Sequence, residues 1–325
     1  MKTDLSRALL GVATVLSMLG ASAAGAQDYP RKPIRWIIPY PPGGSNDVMA
    51  RIMSPPMSES LGQQIVVENR GGGAAIPGVD AVAKAPPDGY TMGLATIAFS
   101  ANPSLFKTLP FDPSRDFALV SLISISPMVL SLHPSVPARS MDQLIALAKA
   151  KPGMLNYGSA GNGSANHLAA EVFKQMTGIN IVHVPYKGGG PGVAALVAGE
   201  IPMMFTTIAS SHPFIQSGKL IPLAVSNINR SAALPGVPTV SELGLSGYSV
   251  NEWQVLIVPA GTPSNVIDRL HKEVVKALAI AAVKERFPGI GLEAIGGDSK
   301  EAAAFVKAEL DRWARVIPAA DIHLD

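Results

Sequence analysis

No cysteine occurs in the 325 residues, which excludes a disulfide scaffold, a thiolate metal site, a thiol nucleophile and a lipid-anchored amino-terminal Cys. Aromatic residues make up only 6% of the chain and charged residues 15%, and the formal net charge is +2. The Lys and Arg residues are scattered singly, so no basic face with interleaved aromatics is offered to nucleic-acid phosphates, and nucleic acid is not an expected partner. Long apolar runs are missing too. Pro, Gly or a charge interrupts each one, as where residues 253–258 end at Pro259, and none reaches the roughly 20 residues that span a hydrocarbon core. Catalytic signatures are also absent: there is no Gly-x-Ser-x-Gly elbow, no His-Glu-x-x-His and no Walker A motif, and Gly161-Asn162-Gly163 lacks the third glycine of a dinucleotide loop. His133, His167, His183, His212, His271 and His323 are well separated, with no pair at metal-ligand spacing. Neither a metal nor another cofactor is expected.

What is present begins with a leader. Lys2 and Arg7 form a positive n-region, residues 8–19 an apolar h-region, and Ala24-Gly25-Ala26 a small-residue cleavage site. Residues 1–26 therefore read as a cleavable signal peptide, with the mature chain starting near Gln27. With no lipid anchor and no spanning segment, an exported protein of this kind is expected where an outer barrier retains it, in a Gram-negative periplasm.

Short β-branched runs alternate with helical stretches: 35–39 before a helix from about Asn46, 65–67 before 76–84, then 91–95. The rhythm returns at 140–150, 156–158, 166–177, 181–184, 191–198, 202–205, 210–217 and 220–225. Such alternation predicts an α/β fold with βαβ units and mostly parallel sheets flanked by helices. Pro/Gly-rich stretches near 126–137 and 234–248 bracket the second series as an insertion. One domain is then 27–128 with 253–325, the other is 129–252, and a cleft lies between them. A capping Thr262 and Pro263 open one late helix, and Asp298 and Glu301 at capping-box spacing open the last. Pro55 and Pro56 predict a break in the helix that follows residue 46.

Two glycine-rich turns join a strand to a helix. Residues 39–47 carry Tyr40, Gly43, Gly44, Ser45 and Asp47, and residues 159–164 carry Ser159, Asn162, Gly163 and Ser164. Glycines let backbone approach a ligand, and the helix that follows presents unpaired N–H groups and a partial positive charge to an anion. One such loop is as readily a tight connection. Two in corresponding positions point to a carboxylate clamp, and since neither contains Lys or Arg, recognition would rest on backbone amides, hydroxyls and ordered water. Thr96, at the start of residues 96–102, and Thr206, within Phe205-Thr206-Thr207, add hydroxyls at strand ends, and His167, one turn into its helix, could orient the second loop or touch the ligand. Lys187-Gly188-Gly189-Gly190 reverses the order of a phosphate loop and reads as a flexible cleft edge. Trp253 reads either as a stacking wall for the ligand or as a core aromatic at a strand start.

Seven segments, 29–34, 41–44, 66–70, 83–91, 155–163, 183–188 and 234–240, together resemble the tripartite tricarboxylate transporter receptors, the Bug-type, TctC-like solute-binding proteins. The resemblance covers essentially all of residues 27–325. It implies a two-domain Venus-flytrap fold with a hinged cleft, a small carboxylate as ligand and the inner-membrane permease subunits of a tripartite transporter as partners, the receptor itself acting as a monomer. Departures touch the ligand. Thr206 stands where many members carry Asp, which disfavours an amino-acid ligand; Gln254 replaces a frequent Phe and suggests a more polar far wall; and Gly71-Gly72-Gly73-Ala74 replaces Pro-Gly-Ala-Gly. Two other functions are weighed against transport: a sensor that reports to a membrane kinase, and an exported hydrolase using Ser45 or Ser159 with His167 as base, for which no orienting carboxylate is apparent.

Overall fold

A strand that runs almost unbroken from one β-sheet into another organises residues 29–319 and Ile322, the residues this computed structural model describes. The expected leader at 1–26 lies outside them. The first sheet contains β1 (Ile34–Ile38), β2 (Ile65–Asn69), β3 (Thr91–Ala95), β4 (Phe117–Ser126), β10 (Glu252–Pro259) and β11 (Glu293–Gly297), in the order β11-β4-β10-β3-β1-β2. The second contains β5 (Met128–Leu132), β6 (Asn156–Ser159), β7 (Val182–Pro185), β8 (Met203–Thr207) and β9 (Ile221–Val225), in the order β7-β6-β8-β5-β9.

Both sheets are mixed, which corrects the expectation of mostly parallel strands. In the first, β1 is parallel to β2 and β3, but β10 is antiparallel to β3 and β4, and β11 is antiparallel to β4. In the second, β6 is parallel to β7 and β8, whereas β5 is antiparallel to β8 and β9. The cause is the crossing itself. β4 leaves the first sheet at Ser126, Pro127 intervenes, and β5 enters the second at Met128. With no crossover helix between them, β5 enters the second sheet antiparallel to β8 and β9, and β10, which returns the chain to the first sheet, runs antiparallel to β3 and β4.

The helices follow from local sequence. α1 (Ser45–Leu61), α2 (Ile76–Ala83), α3 (Ile97–Leu105), α8 (Ser264–Ala279), α9 (Ala281–Gly289) and α10 (Ser299–Ala319) belong with the first sheet; α4 (Met141–Ala150), α5 (Ala165–Thr177), α6 (Gly189–Ala198) and α7 (Ile208–Gln216) belong with the second. Asp298 and Glu301 cap α10 reciprocally, each backbone N–H donating to the other's carboxylate at 2.9 Å. Thr262 does not cap α8, because its hydroxyl donates to the Pro259 carbonyl instead. α1 runs through Pro55 and Pro56 without the expected break. Each proline removes one i to i−4 hydrogen bond, but Met49, Ile52, Met53, Met57 and Leu61 keep one face buried on both sides of the pair. Packing outweighs the two missing bonds.

β10 is buried along its whole length, and the core beside it holds Trp36, Trp253 and Trp313. Serines within β4 and β5 are equally buried, since each hydroxyl finds a partner: Ser121 donates to the Gly297 carbonyl at 2.7 Å and Ser124 to Gln254 Oε1 at 2.7 Å.

Candidate ligand-binding cleft

Four helix amino termini converge on one cavity of about 260 Å³, whose lining comes from the loop after β1, the first turns of α1, α5, α6 and α7, and Glu252 at the head of β10. Gly44 is the N-cap of α1, Ser164 of α5, Gly188 of α6 and Thr207 of α7. Among the described residues the first-turn N–H groups of Ser45, Asn46, Ala165, Asn166, Gly189 and Gly190 have no protein acceptor, and all six residues line the cavity. Each helix adds a partial positive charge of about half a unit at its amino end. Such a surface receives an anion.

Both glycine loops are braced from behind. Asp47 accepts from Gly43 N–H at 2.9 Å, Arg51 Nε at 2.9 Å and Asn69 Nδ2 at 3.0 Å, which folds residues 43–47 onto themselves. Burial works against the Asp47 charge, but these donors outweigh it and hold the carboxyl below its usual range. Gly43 has φ +86°, so only glycine makes this turn without strain. In the second loop Ser159 Oγ lies 2.6 Å from His183 Nε2 and accepts from Gly161 N–H, while Gly163 N–H donates to His167 Nδ1 at 3.2 Å. The two imidazoles stack at 4.2 Å, a pairing that a separation of 16 positions along the chain does not reveal.

An imidazole that accepts a hydrogen bond must stay neutral. Burial first, then Lys174, lowers the His167 pKa to about 4; burial, then His167, lowers that of His183 to about 3, with Lys174 acting the same way and Glu171 opposing. Unfolded, both would protonate near 6.5. Their contribution to stability is therefore complete above pH 6.5 and is lost as the pH falls from there through about 4 and about 3. A His167→Asn variant, which keeps an acceptor without titrating, should show a smaller fall in melting temperature between pH 6.5 and 4 than the parent. Equal falls would dissociate the imidazole from acid sensitivity.

The sequence-predicted site residues separate into three groups. Tyr40, Gly43, Gly44, Ser45 and Ser164 line the cavity, while Asn162 lines an adjoining chamber of about 700 Å³ that shares Tyr40, Pro41 and Gly188 with it. Asp47, Ser159, Gly163 and His167 hold the loops and do not line the cavity, and Thr96 sits buried behind Tyr40, its hydroxyl 2.7 Å from the phenol. Thr206 and Trp253 face away altogether. Thr206 Oγ1 lies 3.2 Å from Ser131 Oγ and donates to the Val129 carbonyl, whereas the neighbouring Thr207 lines the cavity. Trp253 is 1% exposed, packs edge-on against Phe305 at 5.5 Å and donates to Glu309, whereas the neighbouring Glu252 lines the cavity. Both corrections have the same cause: strand side chains alternate between faces, and the residue one position away has the opposite orientation. Gln254 is no far wall either; it lies buried between Ser124 and Asn46. The Lys187–Gly190 stretch does edge the cleft, and its glycines also begin α6, two residues before the expected start.

Residues 49–322 match the tripartite tricarboxylate transporter family receptor. The chain belongs to this receptor family. BugT of Bordetella pertussis is 35% identical over 317 residues, spanning 97% of each chain. An R. palustris protein solved with adipate has 34% identity and a TM-score of 0.87, over 91% of this chain and 100% of its own. MatC from Rhodopseudomonas palustris, solved with bound malate, has 28% identity and a TM-score of 0.84, over 89% of this chain and 100% of its own. The receptor thus has the two-domain α/β fold of periplasmic binding proteins, and its family is one of solute-binding receptors rather than enzymes. The Ser159 form of the hydrolase alternative lacks its expected pair: Ser159 is 0% exposed and is paired with His183, not His167.

Proposed function

We propose that this receptor is exported by residues 1–26, captures a small carboxylate in the cavity between its two sheets, and delivers it to the membrane permease of a tripartite-type transporter. The observation that carries the reading is the convergence of four helix amino termini, with six first-turn N–H groups that have no protein acceptor among the described residues, on one cavity. The relatives solved with adipate and with malate support the ligand class. The ligand carboxylate is held by the amides of residues 45, 46, 165 and 166, with Tyr40 and Ser164 supplying hydroxyls and the Asp47 and His167 networks fixing the loops. The domains are 27–128 with 253–325, and 129–252, hinged where β4 passes into β5 and where the chain returns at β10. Closure would bring Pro41 against Gly188, which already stand so close that a Cβ on Gly188 would lie 3.6 Å from the proline ring.

Thermal-shift measurement across mono-, di- and tricarboxylates tests this. A ligand at 100 times its Kd stabilises by about 2.7 kcal/mol, which should raise the melting temperature by on the order of 5 °C. Absence of a shift with every carboxylate in the panel would refute the assignment.

A further inference from the structure

Two charged residues, Lys187 and Glu252, are found among the described residues that line the cavity. Lys187 is exposed on the loop before α6. Glu252 is the anomaly. A site built to attract an anion has a carboxyl group on its wall, 6% exposed and with no salt bridge. Its single hydrogen bond is a long one, from Asn46 Nδ2 to Oε1 at 3.4 Å, and Oε2 takes none. A buried carboxyl this poorly paired is costly unless something else completes it.

The surrounding polar groups fix what Glu252 can do. Ser124 donates to Gln254 Oε1 at 2.7 Å, so the Gln254 amide nitrogen turns to donate to Asn46 Oδ1 at 3.0 Å. That leaves the Asn46 nitrogen facing Glu252. The relay presents a donor to Oε1 and therefore treats Glu252 as an acceptor. The titratable groups that line the cavity with it are Tyr40, from the loop after β1, and Lys187; β4 opposes it with Ser126 and α1 with Asn46. Neither titratable group is hydrogen-bonded to it.

We infer that Glu252 is a specificity-determining residue, and that the ligand pairs its carboxylate with the helix amino termini and a hydrogen-bond donor, hydroxyl or amine, with the Glu252 carboxyl. The inference rests on the carboxylate reading of the same cavity. A second ligand carboxylate at this position would meet like charge unless it shared a proton with Glu252, whereas an O–H or N–H group satisfies the free oxygen directly. The donor requirement also returns amine-bearing acids to the ligand class: Thr206, whose identity argued against them, faces away from the cavity, and Glu252 supplies an acceptor from another strand.

Calorimetric titration of the full mature protein with matched probes separates the possibilities: butyrate against its 2-, 3- and 4-hydroxy and 4-amino derivatives, and glutarate as the dicarboxylate. At least one donor-bearing probe should bind about ten- to a hundredfold more tightly than butyrate, the span of a hydrogen bond to a charged group. Glu252→Gln should remove that margin, so that the donor-bearing probe and butyrate bind the variant within about threefold of each other. A second readout uses the unaltered protein. Burial, opposed by the Asn46 bond, pushes the Glu252 carboxyl up to about 7, so a donor-bearing ligand stabilises the ionised form and binding near pH 7 releases protons, detected by titrating in buffers of different ionisation enthalpy. A ligand carboxylate facing Glu252 would take protons up. Proton uptake, a margin that survives Glu252→Gln, or a preference for glutarate would each overturn the inference with the receptor reading intact; no binding by any probe would overturn both.

Discussion

Gly44→Arg should weaken carboxylate binding by at least about a hundredfold, the loss of two charge-assisted hydrogen bonds or more, with little change in melting temperature. Gly44 caps α1 in an extended conformation, φ −77° and ψ 166°, that any residue adopts. A Cβ there would meet only the Pro41 carbonyl, at 3.9 Å, an ordinary contact. The backbone therefore accepts the substitution, while the long side chain enters a cavity of about 260 Å³ and occupies the space in front of the Ser45 and Asn46 amides. Titration of both proteins with the best thermal-shift ligand reads the effect. Retained affinity would remove the first glycine loop from the site.

Trp253→Ala should do the reverse. The indole is fully enclosed, stacks edge-on with Phe305, and shares Glu309 Oε2 with Trp313, at 3.2 and 3.1 Å. Truncating a large aromatic in such a place costs about 3–5 kcal/mol through lost burial and the cavity left behind, and it leaves part of the Glu309 hydrogen bonding unfilled. Denaturant unfolding should show that loss. Affinity measured where the variant is still folded should stay within about threefold of the parent, the scatter of substitutions outside a contact. A stable variant with abolished binding would restore Trp253 to the cleft wall.

These two residues also show what could be read in advance. Gly44 was legible because a glycine pair between a strand and a helix has a local physical meaning, a close backbone approach beside unpaired amides. Helices were legible for a related reason: a capping pair such as Asp298 and Glu301 acts within one turn. Trp253 and Thr206 were not, because β10 is buried on both faces and Thr206 and Thr207 offer the same hydroxyl. Neither a polar alternation nor a difference in chemistry then says which neighbour faces the cavity. β4 and β5 went unread because their serines imitate a linker, and only the cross-strand partners at Gly297, Gln254 and Thr206 explain how those hydroxyls are buried. Glu252 carried one faint signal, an acid heading a run that extends to Pro259 and is otherwise apolar but for Gln254.

The central claim is that backbone amides at helix amino termini hold the ligand carboxylate. Amide-resolved NMR of the isotopically labelled receptor during titration with a binding carboxylate tests it most directly. The account predicts saturable shifts concentrated at Ser45, Asn46, Ala165 and Asn166. Binding that leaves those four amides unmoved and shifts others instead would contradict it.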